Sequence, residues 1–255
     1  MSGKNHGGSV TRATFRFYEE LNDFLPSARR KIPFQVGCAQ NATVKQAIEA
    51  LGVPHTEIEL ILVNGESVDF SHRVEEGDRV SVYPMFESLD VRPILRLRDE
   101  PLRESRFVAD AHLGRLARYL RMLGFDTLYE NAHPDRELVR ISVEEKRILL
   151  TRDRELLMHR ELTHGVYVRG DRPRDQLGYV LHRLDLRRSC KPFTRCMSCN
   201  GELEPLDREV VKDSVPPRVA ERHRRFQRCR ECKRIYWQGS HYERMKRFID
   251  RVLEA

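Results

Sequence analysis

The sequence predicts three small folded parts: an α+β domain of β-grasp order, a doubly wound α/β domain and a compact four-cysteine domain. Three observations support this prediction. A strand and helix pattern of β-grasp order runs as far as Phe86, apolar strands alternate with amphipathic helices from Arg106 onward, and two CxxC pairs follow. A chain of 255 residues is long for one compact domain and sufficient for two or three, each with its own core or metal site.

The first domain is predicted over residues 12–87, after a disordered tail at residues 1–11. Its elements read strand, strand, helix, strand, short strand, strand. Thr43 is a candidate N-cap for the helix, which Gly52 should end, and Asn64-Gly65 is typical of a two-residue hairpin turn. This order of elements indicates a ubiquitin-like fold.

The last strand of this domain, EGDRVSVYP at residues 76–84, resembles that of MoaD/ThiS-type sulfur carriers. Those carriers end in a diglycine, whereas here the chain continues without one, so sulfur transfer is not expected. Because the diglycine is missing, the domain is interpreted as a docking or stabilising module, and we expect a protein partner to bind through it. Residues 88–104 are predicted as a linker, in which Ile94, Leu95 and Leu97 could form one extra strand.

The second domain is predicted over residues 105–188, as a parallel sheet with helices on both faces. Its four strands are expected at residues 107–109, 127–129, 148–151 and 166–168. The helix after the first strand should end at Gly124. Its buried face is predicted from helical spacing to contain Leu113, Leu116, Ala117, Leu120 and Leu123.

Aspartates follow the predicted strands of this domain. In open α/β sheets the functional crevice lies beyond the carboxyl ends of the strands, so these side chains are expected at one edge. Mg²⁺ and Mn²⁺ favour oxygen ligands, and such an ion can activate water for phosphodiester hydrolysis and stabilise charge on the leaving 3′ oxygen. The candidate catalytic acids are Asp110, Asp135, Asp153 and Asp171.

Asp110 and Asp153 are the candidate ligands of the catalytic ion. Two like charges at neighbouring strand ends repel each other unless a cation neutralises them. The alternative for each single aspartate is an N-cap, a role that stabilises a helix by about 1 kcal/mol without any chemistry.

Three arginines recur at every third position of the helix that follows Asp110. Arg115, Arg118 and Arg121 could line the crevice and bind phosphate groups through two parallel hydrogen bonds each. The alternative is a solvated helix face.

Two CxxC pairs, Cys196 with Cys199 and Cys229 with Cys232, indicate one structural zinc ion held by four thiolates in a zinc ribbon. The ribbon is predicted over residues 189–241, before a C-terminal helix at residues 242–255. A redox role would place one pair at the start of a helix in a βαβ unit, and neither pair lies there. Cys38 and Cys190 are left over without a role.

Excess positive charge is concentrated in the C-terminal part, where residues 187–251 hold 18 Lys and Arg against 9 Asp and Glu. Such a segment binds polyanions by releasing counterions, although a solvated basic surface is the alternative. Tyr236 and Trp237 could stack on unpaired bases, or Trp237 could pack in the ribbon core. The candidate RNA-binding residues of the ribbon are Arg225, Arg228, Lys233 and Arg234.

Two stretches strongly resemble the Mut-seven C-terminal RNase domain family: FVADAHLGRLARYLRMLGFD at residues 107–126 and RILLTRD at residues 147–153. The resemblance covers residues 105–242. It implies a PIN-like nuclease fused to a zinc ribbon, and some members also carry an N-terminal β-grasp domain.

By this resemblance, Asp110, Asp135 and Asp153 take the places of three PIN acids. The usual acidic residue after the second strand is not evident, and Glu130 and Asp126 are imperfect substitutes. This departure leaves the number of catalytic metal ions open.

The sequence therefore predicts a metal-dependent endoribonuclease that contains structural zinc and catalytic Mg²⁺ or Mn²⁺, with RNA held by the basic ribbon. The RNA is expected to be single-stranded or structured. The main alternative is a non-catalytic RNA-binding adaptor on a degenerate PIN fold, and a weaker one is a DNA-binding zinc-ribbon regulator. Because no apolar run reaches about 18 residues and the N-terminus does not resemble a signal sequence, we expect a cytoplasmic protein with no membrane partner.

Overall fold

The computed structural model describes residues 10–84 and 105–254. They form two compact units, one of residues 10–84 with 153–167 and the other of residues 105–152 with 168–254. The predicted linker lies outside the described residues, as does the predicted tail up to residue 9. Thr11 already belongs to the first strand.

The first unit contains a five-stranded sheet in the order β2-β1-β5-β3-β4. The central pair, β1 and β5, is parallel, and the other pairs are antiparallel. This topology confirms the predicted β-grasp order. The elements are β1 (Thr11–Phe17), β2 (Phe34–Cys38), α1 (Val44–Ala50), β3 (Ile58–Val63), β4 (Glu66–Ser67) and β5 (Arg79–Pro84).

Local signals in the sequence determine the ends of these elements. Thr43 caps α1 in a capping box with Gln46, each side chain accepting from the other residue's backbone N–H. Asn64 and Gly65 both have positive φ, as a tight hairpin turn requires, and the Asn64 side chain donates to Asp78 Oδ1 at 2.8 Å.

In the second unit, three parallel strands lie in the order β7-β6-β8. β6 and β8 are buried along their whole length, whereas β7 is partly buried. The helix that follows β6 is amphipathic, and its apolar side chains, including Leu116 and Leu120, are fully buried. The elements are β6 (Phe107–Ala109), α2 (Gly114–Met122), β7 (Thr127–Tyr129), α3 (Asp135–Glu144), β8 (Ile148–Thr151) and α5 (Pro173–Arg183).

The segment 153–167 belongs to the first unit, although the chain enters it directly from β8. It contains α4 (Arg154–Leu157) and β9 (Gly165–Tyr167), so the last predicted strand begins one residue earlier than expected. His55 Nε2 hydrogen-bonds Leu162 O at 2.8 Å, and the ring of Phe24 packs edge-on against that of Tyr167. The predicted domain at residues 105–188 therefore contributes to both compact units.

The cysteine-rich part is a three-stranded antiparallel sheet of β10 (Leu203–Leu206), β11 (Phe226–Cys229) and β12 (Ile235–Trp237). Instead of a simple loop, two short helices, α6 (Arg208–Val211) and α7 (Pro217–Arg222), connect β10 to β11. They bury a small core around Val211, Val215, Ala220 and Phe226.

The final helix, α8 (Ser240–Glu254), buries Phe248 and Ile249. Its Phe248 ring contacts that of Tyr119 in α2, with the ring centres 4.9 Å apart. Among the described residues, no helix combines the length and hydrophobicity needed to cross a membrane.

Candidate metal centres and nucleic-acid cleft

The four predicted zinc ligands lie together. The Sγ atoms of Cys196, Cys199, Cys229 and Cys232 are all within 4.8 Å of one another. Zn–S bonds of about 2.3 Å in a tetrahedron place sulfur atoms about 3.8 Å apart, and the Cys196–Cys232 separation is 3.7 Å. The cluster therefore fits one zinc ion with four thiolate ligands and no open position.

Tyr236 supports this cluster from β12. Its hydroxyl lies 3.0 Å from Cys196 Sγ. Burial opposes ionisation of Cys196, but hydrogen bonds from Tyr236 and from backbone amides outweigh it and lower the pKa of this thiol to about 6. The surroundings of Cys196 therefore favour the thiolate that zinc requires.

Asp110 follows β6 directly and is held at the sheet edge. Its N–H donates to Leu150 O at 3.0 Å, and Thr151 Oγ1 donates to its Oδ2 at 2.7 Å. Its side chain makes no capping hydrogen bond to the helical turn that follows. The N-cap alternative therefore does not describe Asp110.

The other predicted acids have different surroundings. Asp153, in the first unit, caps α4: its Oδ1 accepts from Glu155 N at 2.8 Å and Leu156 N at 3.3 Å. In the second unit, Asp135 is exposed at the start of α3. Asp171 forms an ion pair with Arg152, with Oδ1 and Nη2 3.4 Å apart. Within residues 10–84 and 105–254, only the cysteines form a group of three or more ligand-type side chains at metal-binding spacing. Convergence of the acids on one ion stays a prediction.

Asp126 lies at the wrong edge of the sheet for a catalytic acid. It precedes β7, and its side chain accepts from Arg147 and Asn200 at 2.7 Å each. Burial opposes ionisation, but these hydrogen bonds outweigh it and lower the pKa of Asp126. Glu130 directly follows β7, at the same edge as Asp110, and its carboxylate lies 3.5 Å from His133.

A cleft of about 750 Å³ runs along α2, which we call the α2 cleft. It begins at Ala111 and His112, the residues next to Asp110, and ends at Met197 and Ser198 between the first two zinc ligands. Within the part of the chain that the structure describes, its lining includes one carboxylate, that of Asp171. The cationic side chains of the lining are Arg115, Arg118, Arg121, Arg152 and Arg234.

The three arginines of α2 differ in what they contact. Arg115 and Arg118 are exposed, as phosphate binding requires. Arg121 is 4% exposed, and it donates from Nε to Thr127 O at 2.8 Å and from Nη1 to Ser198 O at 2.9 Å. Arg121 thus joins α2 to the first zinc knuckle. Sequence reasoning missed Arg152, although its position directly after β8 could have indicated it.

A second cavity of about 760 Å³, which we call the ribbon groove, lies beside the zinc ribbon. Arg225 lines it, whereas Arg228 and Lys233 line neither cavity. Arg228 pairs with Glu204 at 2.9 Å, and Lys233 donates to a backbone carbonyl of its own knuckle. Trp237 is 37% exposed in this groove and is therefore not buried in the ribbon core.

Comparisons with known proteins agree with this architecture. The Mut7-C RNAse domain family model matches residues 105–249, and the Mut7-C ubiquitin model matches residues 10–90. No curated protein matches the sequence.

Two solved structures of small archaeal modifier protein 1 from Haloferax volcanii are similar to part of the chain. They have 19% and 18% sequence identity, cover 30% and 31% of this chain and 99% of their own, and each has a TM-score of 0.25. The first family model spans more than half of the chain and includes both the α2 cleft and the four cysteines. The chain therefore belongs to the Mut7-C RNAse domain family and carries a ubiquitin-like domain in front of the RNase domain.

Proposed function

We propose that this protein is a metal-dependent endoribonuclease that hydrolyses RNA phosphodiester bonds. The observation that carries the proposal is the position of Asp110, whose carboxylate is held by Thr151 beside one end of the arginine-lined α2 cleft. Membership of an RNase domain family supports a nuclease-type, RNA-related function. The metal dependence and the hydrolytic reaction go beyond family membership and are what we propose.

In this proposal Asp110, Asp135, Asp153 and Asp171 are the catalytic acids. Asp110 and Asp153 hold Mg²⁺ or Mn²⁺, for which carboxylate oxygens are suitable ligands. A bound ion would supply an activated water and would stabilise charge on the leaving 3′ oxygen. Thr151 fixes the orientation of Asp110 through its hydrogen bond.

The arginines of the α2 cleft bind the RNA backbone in this proposal. Arg115, Arg118 and Arg234 are exposed guanidinium groups that can each donate two hydrogen bonds to a phosphate. Phosphate contacts position a nucleic acid without reading its sequence. The ubiquitin-like domain is proposed as a docking module for a protein partner.

A second candidate function is a non-catalytic RNA-binding adaptor. Asp153 favours it, because its Oδ1 already accepts two backbone hydrogen bonds as the cap of α4. An adaptor would retain the arginine-lined cleft and the zinc ribbon but would bind RNA without hydrolysing it.

A cleavage assay with matched variants separates the two functions. Zinc-loaded protein is incubated with labelled single-stranded RNAs in Mn²⁺, Mg²⁺ or EDTA. We expect metal-dependent cleavage by the wild type and, because outer-shell changes alone cost about 10- to 100-fold, a loss of at least about 100-fold in Asp110→Asn and Asp153→Asn. Asp213→Asn, an exposed acid outside the α2 cleft, is the matched control and should retain activity. RNA binding without cleavage by the wild type would favour the adaptor.

A further inference from the structure

The ribbon groove presents an exposed aromatic side chain, that of Trp237, beside the ribbon core. Leu206, Phe226 and Trp237 occupy directly opposed positions on β10, β11 and β12, so their side chains share one face of the sheet. Phe226 is buried at 2% exposure, whereas Trp237, on the edge strand β12, is 37% exposed. The row therefore ends in a flat apolar ring that is open to the groove.

A second pair of rings extends this surface. Phe193 and Tyr242 pack against each other with ring centres 4.5 Å apart, and both line the groove. A cavity of about 760 Å³ with rings among its walls has room for the flat face of a nucleobase.

The charge around these rings indicates an anionic occupant. Arg224 and Arg225 are exposed on the groove, and among the described residues Asp207 is the only one that contributes a carboxylate to its lining. An apolar peptide segment would gain nothing from these two guanidinium groups, whereas a nucleotide presents a base to the rings and a phosphate to the arginines.

The groove continues into the α2 cleft. Met197 and Tyr236 line both cavities, so the two share a wall formed by the first zinc knuckle and β12. One nucleic-acid strand can therefore lie along the arginines of α2 and place a base farther along in the ribbon groove.

We propose that the ribbon groove is a stacking site for an unpaired base of RNA, with Trp237 as the platform and Arg224 and Arg225 as contacts to the flanking phosphates. This inference rests on the proposed function, because the strand it holds is the substrate of the α2 cleft. It restricts that substrate to RNA with unpaired nucleotides, since the bases of a duplex are already stacked on one another.

The fluorescence of Trp237 reports whether a base occupies the ribbon groove, because Trp237 is the only tryptophan of the chain. Zinc-loaded Asp110→Asn protein, without added Mg²⁺ or Mn²⁺, is titrated with a single-stranded RNA and with the same sequence as a blunt duplex. We expect the single strand to quench the tryptophan fluorescence as it binds and the duplex to leave it unchanged.

Two variants at the same position then measure the contribution of stacking. By anisotropy of labelled RNA, Trp237→Leu should weaken single-strand binding by roughly 5- to 150-fold, the range expected for loss of one stacked base. Trp237→Phe keeps an aromatic ring and should retain most of the affinity. Zinc content confirms that each variant is folded. The quenching measurement tests stacking on Trp237 even if neither variant folds.

Unchanged fluorescence on binding of the single strand would overturn the proposal, as would equal affinity of Trp237→Leu and wild type. An adaptor that binds RNA without cutting it would still quench Trp237, so failure of catalysis and failure of the stacking site give different results. Quenching by an apolar peptide but not by RNA would assign the groove to a protein partner and would also overturn the proposal.

Discussion

Asp110 follows β6, and Asp153 follows the neighbouring strand β8. The two carboxylates nevertheless have different hydrogen-bond partners. Asp153 satisfies the N–H groups at the start of α4, which is the usual role of an aspartate before a helix. Asp110 leaves the following turn uncapped and instead accepts from the Thr151 hydroxyl. A hydrogen bond to one carboxylate oxygen fixes the orientation of the group, as outer-shell partners of metal ligands do.

Thr151→Val tests this positioning role at the residue scale. The substitution removes the hydroxyl that donates to Asp110 but keeps the shape of a side chain that is fully buried. We expect the Mn²⁺ concentration that half-activates cleavage to rise by about 10- to 100-fold, because the carboxylate loses its orienting partner.

Thr151→Ser is the matched control, since it keeps the donor and should restore metal activation. A Thr151→Val protein that is less stable but half-activated at the wild-type Mn²⁺ concentration would show that Thr151 is only a core residue.

Among the elements, α2 joins the sheet to the zinc ribbon. Gly124 follows the C-terminal end of α2 and has a φ of +94°. Lys191 contacts this end of the helix, and its backbone N–H donates to Leu123 O at 2.8 Å. A Cβ built on Gly124 would lie 2.2 Å from Lys191 O, so only glycine allows this approach. The sequence predicted Gly124 as a helix end, but not the close contact with Lys191.

Gly124→Ala is therefore expected to destabilise the protein by about 2–5 kcal/mol, from the left-handed backbone conformation together with the overpacked contact. Urea unfolding of the full, zinc-loaded chain, followed by circular dichroism, measures the change.

Gly178→Ala provides the comparison within α5, where a Cβ meets no atom of residues 10–84 or 105–254 within 4 Å and φ is not positive. It should be neutral or stabilising by up to about 1 kcal/mol. Equal effects of the two substitutions would contradict the packing described for the end of α2.

Across the whole molecule, local patterns predicted the β-grasp order, the short strands and the CxxC knuckles, because each depends on residues close in sequence. The placement of residues 153–167 in the first unit depends instead on contacts such as His55 with Leu162, more than 100 residues apart, and periodicity carries no such information. The structural role of Arg121 was missed for the same reason, since its partner Ser198 lies in the ribbon. The structural role of Asp126 was not predictable either, because its partners Arg147 and Asn200 lie 21 and 74 residues away along the chain.

Analysis of the ends of cleaved RNA distinguishes metal-dependent hydrolysis from the other ways of breaking an RNA chain. Zinc-loaded wild-type protein is incubated with labelled single-stranded RNA, with and without Mn²⁺. Attack by an activated water with a leaving 3′ oxygen predicts metal-dependent products that carry 5′-phosphate and 3′-hydroxyl ends. Cleavage that needs no added metal and leaves 2′,3′-cyclic phosphates, or no cleavage of RNA that the protein binds tightly, would show that the protein is not a metal-dependent ribonuclease.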